Sequence, residues 1–123
     1  MATAAEKLTL AKKHLRKVEV AWDPPDWADL SFYGFYCLEA AVDAAGIHVG
    51  LQVQSQHWSR VQAAETLTSQ NGLPDVAELL RSLNEVRKSE AYGDVEAPDL
   101  DAEDVVSSIQ SYVEEVTTLI GAG

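Results

Sequence analysis

Arg87 is set apart from the other ionisable residues by its spacing, four residues after Leu83 and seven after Leu80. On a helix those offsets share one face, so the guanidinium falls on the stripe that the leucines would bury. Taking a charge out of water is costly unless it is paired. Arg87 is therefore expected to be at least partly buried and to meet a carboxylate, a backbone carbonyl or an anionic ligand. Glu90 and Asp94 are the local candidates, and an acid from a second copy of the chain is another. The plain reading is a structural ion pair at the end of a helix. The sharper one is an oxyanion site, which suits the planar fork of a guanidinium and to which the adjacent Lys88 adds charge.

The familiar catalytic and metal-binding constellations are missing. His14, His48 and His57 lie far apart with no pair at i, i+4, and there is no Cys-x-x-Cys, so neither a metal nor a cofactor is expected. The sequence holds no G-x-x-x-x-G-K, no G-x-G-x-x-G and no G-x-S-x-G, which leaves no phosphate loop and no nucleophile elbow. Glu114 and Glu115 are adjacent and point to different faces of a helix, unlike paired metal carboxylates. Cys37, between Tyr36 and Leu38, reads as a reduced core residue rather than a nucleophile. The tryptophans and tyrosines could stack on bases, but at helical spacing they read first as core.

Five helices are needed to position these residues. Thr3 with Glu6 fits a capping box, and Leu8, Ala11, Leu15, Val18 and Trp22 then form an apolar stripe that the Asp23-Pro24-Pro25 run ends. Asp26 can cap a second helix over about 27–45, apolar over most of its circumference and so destined for the centre of a bundle. Within it Gly34 suggests the close approach of another backbone, and Gly46 suggests a stop. A connection over 47–54 leads to a third helix, about 56–70, with Trp58, Val61, Ala64 and Leu67 on one face and Asn71-Gly72 at its end. Pro74 fits the first turn of a fourth helix, which carries Val76, Leu79, Leu80, Leu83 and Val86 and reaches about Glu90. After an acidic loop containing Pro98, Asp101 can cap a fifth helix whose stripe is Val105, Ile109, Tyr112, Val113, Val116 and Ile120. The expected architecture is an all-α, compact four- to five-helix up-down bundle.

The 123 residues and 46% apolar content suit one domain, 1–123, with a single core. No apolar run approaches a membrane span, so a cytoplasmic protein without membrane contact is expected. The net charge of -11 is unevenly spread. Lys7, Lys12, Lys13, Arg16 and Lys17 crowd the first helix, while from Asp94 onward there are eight acids and no base. A surface so acidic disfavours RNA or DNA, whose phosphates call for a basic face. Charged faces of this kind serve solubility or electrostatic pairing between chains.

The run Leu83-Asn84-Glu85-Val86-Arg87-Lys88-Ser89-Glu90-Ala91-Tyr92-Gly93-Asp94, preceded by a Tyr/Phe-rich second helix and by His57-Trp58 in the third, resembles the HEPN domains over about 10–112. The resemblance implies a small helical bundle, a homodimer, and a setting in toxin-antitoxin or defence systems, where many members cut RNA without a metal. It also implies an antitoxin or nucleotidyltransferase as protein partner. By the same likeness Arg87 matches the motif arginine, which would bind the scissile phosphate and stabilise charge developing there. Where active members have histidine this chain has Tyr92, and the polar residue that commonly follows the arginine is Lys88. A histidine of pKa about 6.5 takes a proton at neutral pH far more readily than a tyrosine of about 10, a difference of roughly 5 kcal/mol. The expectation is a dimeric interaction module with weak or no catalysis. The alternative is a metal-independent endoribonuclease using Arg87 with Tyr92 or His57.

Overall fold

The computed structural model describes residues 2–91, Gly93 and residues 98–122, with Ala122 described by its backbone alone. Five helices make up the bundle, α1 (Ala4–Val20), α2 (Trp27–Val49), α3 (His57–Asn71), α4 (Ala77–Ala91) and α5 (Ala102–Ala122). Among the described residues there is no strand, only an isolated bridge between Trp22 and Pro25. Among the described residues no helix is long and apolar enough to cross a membrane.

The helix ends follow the local chemistry. At the start of α1 the Thr3 hydroxyl accepts from the Glu6 backbone N–H and the Glu6 carboxylate accepts from that of Thr3, a reciprocal capping box. Asp26 and Asp101 cap α2 and α5 by accepting from the N–H groups of Asp29 and Asp104. The α4 start differs from expectation, because Pro74 lies ahead of the helix. There the Asp75 carboxylate accepts from the Ala77 N–H and opens α4 three residues later than the proline. Gly72, at φ 71°, ends α3 in the left-handed conformation.

The second helix is longer than its sequence suggested. It runs through Gly46 and stops at Gly50, which adopts φ 84°. Gly46 serves a different purpose: a Cβ placed there would come within 2.7 Å of Val53 Cγ2, so the missing side chain lets the connection after α2 fold back against it. At Gly34 the close neighbours are side chains rather than backbone, Ile109 Cδ1 at 3.0 Å and Leu83 Cδ1 at 3.3 Å from a built Cβ.

All four other helices pack against α2, which is buried over most of its length. Small side chains at Ala40, Ala41, Ala44 and Ala45 let neighbours approach from several sides. The core continues through Leu67, Leu80 and Leu83 to Ile109, Tyr112 and Val116 of α5. The Cys37 thiol donates to the Ala11 carbonyl at 3.2 Å, and burial pushes its pKa up to about 12, so it is a core residue as expected.

Candidate functional site

Phe35, Tyr36, Glu39 and Asp43 fall at helical intervals on the side of α2 that faces α3 and α4. Against them α3 sets His57, Trp58 and Arg60, and α4 sets Asn84, Arg87 and Lys88. The space among them is an open cleft of about 510 Å³.

Arg87 is half-buried, as its spacing predicted. Its Nη2 donates to Asn84 Oδ1 at 2.7 Å, and its guanidinium carbon stands 4.8 Å from the Phe35 ring centre and 5.7 Å from that of Tyr36. The aromatic faces compensate part of the lost hydration by cation–π attraction. The partner differs from the expected one: Glu90 does not pair with Arg87, and among the described residues no carboxylate lies within 4 Å of the guanidinium. Its Nε is buried with no hydrogen-bond partner. Tyr92 and Asp94 lie outside the described residues.

His57 joins Arg87 in this cleft. Its ring centre is 5.5 Å from that of Phe35, so imidazole and guanidinium both lie against one phenyl ring, and His57 Nδ1 is likewise buried without a partner. Burial lowers the His57 pKa, and the positive charges of Lys88, Arg81 and Arg87 lower it further against the smaller opposing effect of Glu85. The imidazole is therefore neutral at neutral pH. Lys88 sits exposed on the rim and pairs with Glu85 at 3.9 Å. Trp58, placed by its spacing on the core face of α3, instead stands 57% exposed at the mouth.

Sequence reasoning missed the other half of the cleft. Glu39 and Asp43 are each only 7% exposed, one turn apart on α2. Arg60 Nε and Nη2 donate to the two Asp43 oxygens at 3.0 and 2.9 Å, its Nη1 donates to the Ser55 carbonyl at 2.7 Å, and Glu39 Oε1 lies 3.5 Å from Nη1. Lys7 of α1 reaches Asp43 at 3.4 Å. Burial raises the Glu39 pKa; Arg60 opposes the rise, Asp43 adds to it, and Arg87 opposes it from farther away. A usable signal was present, since Arg60 precedes Ala64 by four residues and Leu67 by seven, the same offsets that singled out Arg87.

Among the described residues no group of three or more His, Cys, Asp or Glu side chains converges as a metal site. What the cleft brings together is a guanidinium with an unpartnered Nε, a neutral imidazole with an unpartnered Nδ1, and aromatic walls. That set can hold an oxyanion and can accept a proton. No family model, no curated protein and no solved structure matches the chain.

Proposed function

We propose that the chain is a HEPN-like helical interaction module that holds an anionic group at Arg87, acts as a homodimer and has little or no catalytic activity. The observation that carries this reading is the state of Arg87, which is fixed by Asn84 and two aromatic rings, with Nε unused and no carboxylate beside it among the described residues. A buried cation left in that state is costly unless something negative completes it. The acidic surface argues against a long polyanion as the natural occupant. Exposed Trp58 at the mouth of the cleft and exposed Phe32, whose ring meets that of Tyr36, suit a protein contact, whether a second copy or a partner of the antitoxin or nucleotidyltransferase kind. A cytoplasmic setting fits the reduced core cysteine.

A second reading is favoured by His57. A neutral imidazole in the same cleft as an anion-binding guanidinium is the pairing that a metal-independent endoribonuclease needs, with Arg87 on the phosphate and His57 taking the proton from the ribose hydroxyl.

Incubation of mixed-sequence RNA with the purified protein in EDTA, with Arg87→Ala and His57→Ala alongside, separates the two. The interaction module is expected to leave RNA intact in all three preparations. Cleavage that disappears in both variants would overturn it in favour of the nuclease.

A further inference from the structure

We propose that Glu39 is a specificity-determining residue of the Arg87 cleft, restricting its occupant to a singly charged oxyanion and excluding a doubly charged one. The inference rests on the reading of the cleft as an anion site.

The reasoning is one of charge balance. Lys7, Arg60 and Arg87 are the cations around the buried carboxylates Glu39 and Asp43. Lys88 is answered by Glu85, and His57 is neutral. Among the described residues, three positive charges against two negative ones leave one unanswered, at Arg87, whose hydrogen-bond partner is the uncharged Asn84. One negative charge from a ligand completes the set.

A second negative charge meets a different environment. Asp43 takes two donors of Arg60 and the ammonium of Lys7, which leaves Glu39 with the longer 3.5 Å contact to a nitrogen already donating to Ser55. Glu39 is thus a poorly compensated carboxylate that lines the same cleft as the ligand. Glu39 is itself largely shielded from water, so its repulsion is felt more strongly than that of a surface carboxylate. Arg60, held on both arms, has little left to offer a dianion.

Benzenesulfonate and phenyl phosphate test this. They share a phenyl ring and a tetrahedral oxyanion, but the sulfonate carries one charge throughout, whereas a phosphate monoester with second pKa about 6 carries two at pH 8. Each is titrated into the full chain at pH 8 while the Arg87 Nε–H and the Trp58 indole are followed by NMR. Wild type is expected to bind the sulfonate about tenfold more tightly than the phosphate, and Glu39→Gln to bring the two within about twofold by improving the phosphate. Glu39→Asp keeps the charge and should keep the preference, which supplies a second variant if the glutamine protein folds poorly. Equal binding of the two probes by wild type, or an unchanged ratio in Glu39→Gln, overturns the role of Glu39 alone. If neither probe moves the Arg87 or Trp58 signal in any of the proteins, the anion-site reading fails and the inference falls with it.

Discussion

Two arginines enter one cleft from neighbouring helices, and they are held in different ways. Arg60 donates from all three of its nitrogens, twice to Asp43 and once to Ser55, with Glu39 close by. Among the described residues Arg87 makes one hydrogen bond, to a neutral amide, and rests against Phe35 and Tyr36 with its Nε unused. Both occupy apolar stripes at the same helical offsets and both are half-buried. Burial therefore does not separate the structural arginine from the one available to a ligand. Saturation of the donors does, because a guanidinium whose hydrogen bonds are already satisfied by carboxylates gains little from another anion.

Arg60→Met should have the largest effect. It leaves Glu39 and Asp43 one turn apart in a buried site with Lys7 at Asp43 and Arg87 farther off, and a loss of about 3–5 kcal/mol is expected in urea unfolding at pH 7. A loss below about 1 kcal/mol would put Arg60 in the same class as Arg87. Arg87→Met is expected to cost only about 1 kcal/mol, since methionine keeps the contact with the rings and one hydrogen bond is lost, while benzenesulfonate binding disappears. A cost as large as that of Arg60 would break the comparison from the other side.

Asn84→Asp sharpens it, by giving Arg87 the carboxylate that Arg60 has. A gain of below about 1 kcal/mol is expected at pH 7, because the charged hydrogen bond is offset by burial of the new carboxylate, together with loss of sulfonate binding. Retained binding would mean that donor saturation is not what distinguishes the two sites. Glu39→Gln should give the smallest effect, a slope rather than a step. Burial raises the Glu39 pKa, so its contribution to stability is present in acid and fades as pH rises from the ordinary carboxylate range through the raised folded value. The glutamine variant lacks that loss and should gain on wild type between pH 4 and pH 7. A pH-independent difference in unfolding free energy would contradict it.

The five helices were legible because each carried its own periodicity and most carried their own caps, Thr3 with Glu6, Asp26, Gly72 and Asp101 among them. The end of α2 was not, because a glycine that stops a helix and one that admits a neighbour look alike in sequence, and Gly46 and Gly50 divide those tasks. The unusual placement of Arg87 could be read from two leucines. Its partner could not, since Asn84 competes with Glu90 at the same helical reach and only packing decides which of them turns inward. The meeting of His57 with Arg87 at Phe35 depends on how α3 and α4 lie on α2, a relation that no local spacing encodes. Glu39 and Asp43 belong to no motif, although an acidic pair one turn apart on a helix with almost no polar face had nowhere else to go but inward.

The central place of α2 bears on how the cleft can move. A segment that every other helix covers loses its protection only when the bundle as a whole comes apart, so its mid-helix amides should exchange with solvent at the rate of global unfolding. Phe35, Tyr36, Glu39 and Asp43 project from that segment and form a wall that does not breathe by itself. The opposite wall is less firmly held, for among the described residues the main helix contacts of α3 are with α2 and α4. The Arg60 clasp on Asp43 ties α3 to that fixed wall.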